Sequence, residues 1–306
     1  MKLAAAFFRL VRWQNLVFIV MTQALFYVCI DQSLFPDGRP AMLGWLMAAS
    51  VFIAAGGYII NDYFDLNIDQ VNKPSKNVIN TIISRRWAIL WHLGLSLAGV
   101  AATIEAVGLH KWHLVLANTV VVVLLWLYST SFKRQLLIGN VVISLLTAWT
   151  VLILFFVRVP FSAAFGSADA LTAKFFRLSF LYGGFAFIIS LIREAIKDIE
   201  DLEGDRRYGC RTLPIVAGVT ATKIYATVWI VVLAAALVLL QLYMLQFGWW
   251  WAVVYCSVLV IAPLILLLLR QKNASAPADF SRLSRLAKLI MLTGIFSMIF
   301  FRLYFR

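Results

Sequence analysis

Two sets of three aspartates repeat the same spacing in this sequence. The first set is Asp62, Asp65 and Asp69, and the second is Asp198, Asp201 and Asp205. Within each set the positions are i, i+3 and i+7, which share one face of an α-helix. Each aspartate of the first set has its counterpart 136 positions later. This repetition indicates two matching rows of carboxylates rather than scattered charges in solvated loops.

Rows of carboxylates need a cation nearby, because like charges one helical turn apart repel each other. Mg²⁺ in particular is held by one or two carboxylates together with a substrate's phosphates. Asn61 and Glu194 add an oxygen-bearing side chain four residues before Asp65 and Asp198. We therefore predict that the six aspartates are catalytic and that they bind Mg²⁺ together with Asn61. Two facing rows would hold Mg²⁺ ions that bridge a diphosphate between them.

Basic residues that could bind such a diphosphate lie near the ends of apolar segments. They are Arg12, Lys73, Lys133, Arg134, Lys197 and Arg206. Together with Mg²⁺, these cations would neutralise a departing diphosphate and lower the barrier to breaking an allylic carbon–oxygen bond. The allylic cation needs a dry cavity lined by aromatic rings, and the chain has 23 Phe, 11 Trp and 10 Tyr. This chemistry is the transfer of an isoprenoid group from its diphosphate to a lipid-soluble acceptor.

The elements that must position these residues are membrane helices. The 306-residue chain is 63% hydrophobic and 13% charged, whereas soluble domains are about half apolar and a quarter charged. Five uncharged blocks are near the roughly 20 residues that cross a bilayer, namely Trp13–Ile30, Ala41–Ile60, Leu137–Val157, Ile224–Phe247 and Gly248–Leu269. Four weaker blocks are Trp87–Val107, Leu114–Phe132, Leu178–Ile192 extended onward, and Leu286–Phe301. We predict an all-α membrane protein with nine transmembrane helices in a single domain, residues 1–306.

The distribution of positive charge predicts the orientation of these helices. With a cytoplasmic N-terminus, 20 of the 27 Lys and Arg residues fall on the inner side, as the positive-inside rule requires. Both aspartate sets then lie on the cytoplasmic side of the cell (inner) membrane. Attraction to anionic lipid accounts for the net charge of +13, so no nucleic-acid partner is expected. The oligomeric state is left open.

Two other classes of membrane protein also carry acidic residues. An ion-coupled transporter would place charged or broken-helix sites near the middle of the bilayer, whereas these acids lie at the ends of spans. A transferase acting on CDP-linked alcohols would carry one dense acidic motif rather than two distant ones. The pattern therefore favours the isoprenoid transferase.

At these residues the sequence resembles the UbiA superfamily of intramembrane prenyltransferases. The family's first motif, N-D-x-x-D-x-x-x-D, is complete in 61–69, and its second, acidic motif is matched by Asp198-Ile199-Glu200-Asp201 followed by Asp205. Arg12 and Asn15 at the first span, and Tyr128 and Lys133 at the fourth, also fit the family pattern. The resemblance implies substrate-binding roles for these four residues. It also implies a helical bundle around a cavity open to lipid, with two Mg²⁺ ions at its cytosolic end.

The acceptor is predicted less sharply than the reaction. The stretch 192–205, which runs on to Cys210-Arg211-Thr212-Leu213-Pro214, resembles the branch that joins a geranylgeranyl chain to geranylgeranylglyceryl phosphate. Branches that prenylate 4-hydroxybenzoate or dihydroxynaphthoate remain the alternative, since they share the first motif. After that motif many members read N-R-P-x-R-P, where this chain has Lys73 and Lys76 in place of the two arginines.

Overall fold

The structure, a computed structural model, describes residues 2–72, 78–160 and 169–304, and these are almost entirely helical. In chain order the helices are α1 (Lys2–Leu10), α2 (Trp13–Leu34), α3 (Pro40–Phe64), α4 (Leu66–Asn72), α5 (Arg85–Val107), α6 (Leu109–Thr130), α7 (Ile138–Arg158), α8 (Ala170–Glu200), α9 (Leu202–Arg207), α10 (Leu213–Val216), α11 (Gly218–Leu245), α12 (Trp250–Asn273) and α13 (Pro277–Tyr304). Two of the long helices contain a π-helical turn, at Tyr27–Asp31 in α2 and at Ser257–Ile261 in α12.

Within the described ranges, nine of these helices are long and apolar enough to cross a membrane. The predicted number of spans is therefore confirmed, and the all-α class with it. Two spans begin well before the predicted blocks, since α8 begins at Ala170 and α13 at Pro277. The physical reason is that charged side chains end a hydropathy block without ending the helical hydrogen bonding.

The helix breaks within both aspartate motifs, and this differs from the continuous rows that we predicted. Helix α3 ends at Phe64, Asp65 caps it, and α4 starts at Leu66. In the same way α8 ends at Glu200, Asp201 caps it, and α9 starts at Leu202. The third aspartate of each set therefore lies on a short second helix. The shared spacing reflects a shared helix–break–helix element rather than one straight helical face.

Helix α8 lies at the centre of the bundle, and isoleucines on it form the core with α11, α12 and α13. Ile189, Ile192 and Ile196 are fully buried there against residues such as Leu264 and Ile290. In lipid, apolar burial does not drive helices together, so close packing has to stabilise the contact. The closest approach is at Gly294, where a Cβ would come 2.5 Å from the Phe185 ring.

The end of the bundle away from the aspartates is closed by aromatic rings and an ion-pair network. Arg158 at the end of α7 contacts Asp31 at 3.8 Å, pairs with Asp37, and lies over the Phe35 ring at 4.4 Å. Phe155 is fully buried beside it. These contacts connect α2, α7 and the loop before α3, so the two ends of the bundle are chemically distinct.

Candidate active site

Carboxylates from both motifs line one cavity. They are Asp65 and Asp69 from the first motif and Asp198, Asp201 and Asp205 from the second, with Asn61 and Glu194 beside them. Two motifs that are 136 positions apart in the sequence thus lie together in the structure. Asp62 does not belong to the cavity lining but lies behind it, paired with a residue that does.

Lys133 contacts two residues of the first motif, Asn61 and Asp65. Its ammonium group is paired with the Asp65 carboxylate and lies 3.3 Å from Asn61 Oδ1, while Asn61 Nδ2 donates to Asp65 Oδ2 at 2.9 Å. Lys133 lies in a 3₁₀ turn at Phe132–Arg134, which packs against the start of α7. A Cβ at Gly139 would come 2.7 Å from Lys133 Cα, so this close approach requires glycine.

Arg12 forms an ion pair with Asp62. Its Nη2 donates to Asp62 Oδ1 at 2.7 Å, and its guanidinium lies 5.1 Å from the centre of the Tyr58 ring. The Asp62 charge raises the pKa of Arg12 above its ordinary value, so Arg12 stays cationic. Arg12 has a left-handed backbone, with φ of 51°, which costs a non-glycine residue about 1–2 kcal/mol. This turn separates α1 from α2 and directs the side chain into the cavity.

The first aspartate of the second motif has a neutral partner instead. Asn140 near the start of α7 donates from Nδ2 to Asp198 Oδ2 at 2.9 Å. Asn140 is itself buried. Counterpart positions in the two motifs therefore have different surroundings, because Asp62 faces an arginine and Asp198 faces an amide.

Asn72 joins the two motifs directly. At the end of α4, its Nδ2 donates to the Asp201 carbonyl at 3.0 Å, and its Oδ1 accepts from the Gly204 amide at 2.9 Å. A Cβ at Gly204 would come 2.5 Å from Asn72 Nδ2. Glycine at 204 is therefore what allows the side-chain amide of Asn72 to reach the break between α8 and α9.

The charges of the two motifs influence each other across the cavity. Burial, and then the neighbouring charges of Asp201 and Asp65, raise the pKa of Asp205 to about 7. Burial lowers the pKa of Lys133, and the Asp65 carboxylate opposes that shift. The effect of Asp65 on Asp205 is repulsion between aspartates of different motifs. A cation bound between them would relieve it.

A second group of charged side chains lies along another part of the cavity wall. Arg193 Nη1 donates to Glu194 Oε1 at 2.6 Å, and Lys288 Nζ donates to Asn15 Oδ1 at 3.0 Å. All four residues line the cavity, as does Lys197. Lys288 lies in the middle of α13, so this position brings a third helix, besides α2 and α8, into the charged part of the site.

Beyond the charged groups the cavity continues into the apolar interior. It has a volume of about 350 Å³, and its lining includes Trp149, Tyr182, Phe185 and Met298. Both Tyr182 and Asp201 line it, so along α8 it extends about 28 Å at the helical rise of 1.5 Å per residue. Tyr128 lies in the wall near the acids. The shape suits an amphiphile with a charged head and a long apolar chain.

Three of the predicted substrate-binding cations are not among the described residues that line the cavity. Arg206 is exposed on α9, and neither it nor Arg134 belongs to the cavity lining; Arg134 instead accepts, through its carbonyl, a bond from the Arg211 amide at 2.7 Å. Lys73 lies outside the described residues. The other predicted cations, Arg12, Lys133 and Lys197, all line the cavity.

Sequence reasoning missed four polar residues of the site: Asn72, Asn140, Lys288 and Tyr58. Lys288 carried a signal, because a lysine inside an apolar span is a functional candidate by default. Asn72 carried a weak signal, because it is the asparagine that opens the stretch compared with N-R-P-x-R-P, whereas Asn140 carried none, since its role depends on which helices are neighbours. Tyr58 is one helical turn before Asp62, but only the position of Arg12 shows what its ring contacts.

The residues present fit Mg²⁺ by their chemistry. Carboxylate and amide oxygens are the ligands that hard divalent cations prefer. No group of three or more His, Cys, Asp or Glu in the described part of the chain converges tightly enough to hold an ion alone. A site of this kind matches a Mg²⁺ ion that takes its remaining ligands from water and from a substrate's phosphates.

Comparison with known proteins identifies relatives of the whole bundle. A model of the UbiA prenyltransferase family matches residues 19–289. A digeranylgeranylglyceryl phosphate synthase from Methanopyrus kandleri is 38% identical over 196 residues, which are 63% of this chain and 64% of the relative. The chain spans about three fifths of the length of the curated relatives that it matches.

Solved structures share the fold along its full length. One reported for digeranylgeranylglyceryl phosphate synthase in membranes has a TM-score of 0.60 at 23% identity, covering 98% of this chain and 99% of that one. A UbiA homolog from Archaeoglobus fulgidus, bound to GPP and Mg²⁺, has a TM-score of 0.59 at 16% identity, covering 96% and 99%. The arrangement of the helices is therefore that of known proteins.

Proposed function

Because this chain belongs to the UbiA prenyltransferase family, we propose that it transfers a prenyl group from its diphosphate to a membrane-associated acceptor in a Mg²⁺-dependent reaction. The observation that carries this proposal is the single cavity lined by aspartates of both motifs and by Lys133. That cavity continues into an apolar region long enough for a prenyl chain. The Archaeoglobus homolog with bound GPP and Mg²⁺ supports it by shared fold.

The acceptor that we propose is geranylgeranylglyceryl phosphate, and the donor is geranylgeranyl diphosphate. Support comes from the relative at 38% identity, which is a digeranylgeranylglyceryl phosphate synthase. The product would be a glyceryl ether lipid with two geranylgeranyl chains. Aromatic acceptors such as 4-hydroxybenzoate or dihydroxynaphthoate are the second candidate, because the first motif is common to both branches.

In the proposed reaction the allylic carbon–oxygen bond breaks and the diphosphate leaves with the bonding electron pair. The acceptor's hydroxyl oxygen then forms a bond to the allylic carbon, and the released diphosphate can accept the hydroxyl proton. Lys133 opposes the negative charge that grows on the leaving diphosphate. Tyr58 and Tyr128 present aromatic rings to the developing allylic cation, and the apolar part of the cavity keeps water away from it.

Magnesium would supply charge neutralisation of the diphosphate, and we propose two ions. Asn61, Asp65 and Asp69 on one side and Asp198, Asp201 and Asp205 on the other would hold them. Asp62 would act through Arg12, with which it is paired at 2.7 Å. The repulsion between Asp65 and Asp205 provides a physical reason for cations at this position.

The protein is an integral membrane protein, with nine apolar helices in the ranges that the structure describes, and we propose that its N-terminus and acidic site face the cytoplasm at the cell membrane. The excess of Lys and Arg on that side supports this orientation. We also propose that the cavity opens to lipid, since both the substrate chains and the product are apolar. Binding of membrane lipid follows from this arrangement, and no role in binding nucleic acid is proposed.

Ion-coupled transport is the alternative from a different class. It would need ionisable residues along a path through the bundle. The far end is instead packed with buried Phe155 and Phe175 and joined by Arg158 to Asp31. Grouping of the acids at one end favours transfer chemistry.

The test is an acceptor panel with purified protein. With Mg²⁺ and geranylgeranyl diphosphate, we expect diphosphate release only when geranylgeranylglyceryl phosphate is added, and none after chelation by EDTA. Release with an aromatic acid instead would assign the aromatic branch. Release of diphosphate with no acceptor and without Mg²⁺ would refute the proposal.

A further inference from the structure

The cavity lining contains a group of cations besides Lys133. It consists of Arg12, Arg193, Lys197 and Lys288. Lys288 Nζ donates to Asn15 Oδ1 on α2 at 3.0 Å, and α8, which carries Arg193 and Lys197, packs against α13. We call the four cations the basic edge.

Helix α8 carries both basic and acidic residues of the cavity lining. Arg193 and Lys197 are one turn apart and share a face. Asp198 is turned toward α7, where Asn140 donates to it at 2.9 Å. One helix thus presents a basic face and an acidic face to a single cavity.

Two of the four cations of the basic edge form ion pairs with carboxylates of the protein. Arg12 is paired with Asp62 at 2.7 Å, and Arg193 with Glu194 at 2.6 Å. Among the described residues, no carboxylate forms an ion pair with Lys197 or Lys288, and the ammonium group of Lys288 instead donates to the neutral Asn15 at 3.0 Å. Lys288 is half-buried inside a membrane span. A cation there is costly without an anion to compensate it.

We propose that the basic edge binds the phosphate headgroup of the acceptor, with Lys288 and Lys197 as its main cationic ligands. This inference rests on the proposed function and adds the acceptor subsite to it. Two cations without an ion-pair partner match a phosphate monoester, which carries about −1.5 to −2 charges at neutral pH. A benzoate-type acceptor carries one negative charge and would leave one of them uncompensated.

The position of the basic edge also suits the reaction. The diphosphate is assigned to the acidic face of α8 and the acceptor phosphate to its basic face. An acceptor held by Lys288 can therefore present its hydroxyl group across the cavity toward the allylic carbon.

The experiment is steady-state kinetics of full-length protein in lipid nanodiscs with geranylgeranyl diphosphate and geranylgeranylglyceryl phosphate. For Lys288→Met we expect the KM for the phosphate acceptor to rise roughly tenfold or more, as loss of a charge-assisted contact predicts. The KM for geranylgeranyl diphosphate should change by less than about twofold, because Lys288 is on α13 and belongs to neither aspartate motif. Lys288→Arg, which keeps the charge, should restore much of the acceptor KM.

Arg285→Met is the matched control, because Arg285 is exposed on α13 one turn before Lys288 and does not line the cavity. It should leave both KM values unchanged. An unchanged acceptor KM in Lys288→Met, or an equal rise in the KM for the diphosphate, would overturn the subsite.

A binding measurement separates this subsite from the proposed function. Without Mg²⁺ and without donor, geranylgeranylglyceryl phosphate should raise the melting temperature of the unsubstituted protein and of Arg285→Met, but not of Lys288→Met. Geranylgeranylglycerol, which lacks the phosphate, should have little effect on any of them. Equal stabilisation by the two lipids would overturn the subsite even if turnover is observed. Phosphate-dependent stabilisation without any turnover would support the subsite and contradict the transferase.

Discussion

At the scale of single residues, the two motifs are alike in sequence and unlike in their surroundings. Asp62 is paired with Arg12, Asp65 with Lys133, and Asp198 with the amide of Asn140. Equal spacing of aspartates therefore does not imply equal roles. The pairing of Lys133 with Asp65 places a cation beside the first motif, where the proposed diphosphate would bind.

Lys133 should be the most sensitive of these cations. For Lys133→Met, we expect kcat to fall roughly 10²- to 10³-fold, the usual effect of removing one group that stabilises transition-state charge. The physical reason is that Lys133 contacts Asp65 and Asn61 and has a buried ammonium group. Turnover of geranylgeranyl diphosphate measures the effect. Lys272→Met, which removes an exposed cation on α12, serves as control. Similar activity in the two variants would contradict the role of Lys133.

The residues found from sequence are those whose chemistry is visible in their spacing. Asp65, Asp69 and Asp201 were expected at the site and do line the cavity. Asn140 could not be found, because its role depends on a partner, Asp198, that is distant in the chain. Arg206 was predicted to bind substrate because it is basic and follows the second motif in the sequence. In the structure it is exposed on α9 and does not line the cavity.

At the scale of helices, the two helix breaks are what bring the motifs together. Both long helices α3 and α8 end at the second aspartate, and the short helices α4 and α9 then pack against each other through Asn72 and Gly204. The third aspartate of each set, Asp69 or Asp205, lies on the short helix and still lines the cavity. Sequence periodicity predicted both helices but could not predict their breaks, because the carboxylate spacing suits a continuous helix equally well.

Gly204→Ala should weaken this junction. The new Cβ would come 2.5 Å from Asn72 Nδ2, so the Asn72 amide must move and lose both of its hydrogen bonds. We expect the Mg²⁺ concentration for half-maximal activity to rise roughly five- to tenfold, given about 0.5–1.5 kcal/mol for each bond. Asn72→Ala should have a similar effect, and a titration of activity against Mg²⁺ measures both.

The two substitutions should not be additive. In Asn72→Ala the clash at Gly204 disappears, so the double variant should resemble Asn72→Ala alone. Gly184→Ala on α8 is the matched control, because a Cβ there meets nothing within 4 Å. Additive effects of the two substitutions, or a Mg²⁺ requirement in Gly204→Ala equal to that of Gly184→Ala, would contradict the proposed junction.

At the scale of the whole molecule, hydropathy predicted the nine spans well because lipid requires long, apolar, internally hydrogen-bonded helices. The boundaries of α8 and α13 were less accurate, since both helices continue into charged residues. Arg193, Lys197 and Asp198 follow the apolar block of α8, whereas Lys288 lies inside the predicted block of α13, and all four line the cavity. Hydropathy therefore predicts the spans but does not show which of their charged residues face the cavity.

The proposed orientation can be tested by cysteine labelling in sealed vesicles. Lys272→Cys is at an exposed position at the end of α12, and Leu109→Cys is at the exposed first residue of α6. In right-side-out vesicles, a membrane-impermeant maleimide should label Leu109→Cys and spare Lys272→Cys, with the reverse pattern in inverted vesicles. The unsubstituted chain controls for its three native cysteines. The opposite pattern would reverse the proposed topology.

The central claim is that aspartates of both motifs bind one diphosphate through divalent ions. The most direct measurement is a crystal structure with Mn²⁺ in place of Mg²⁺ and a non-hydrolysable geranylgeranyl diphosphate analogue, with the ions located by anomalous scattering. We predict Mn²⁺ peaks between the diphosphate and the carboxylates of Asp65 or Asp69 on one side and Asp201 or Asp205 on the other. A diphosphate bound away from this cavity, or in contact with only one motif, would contradict the account.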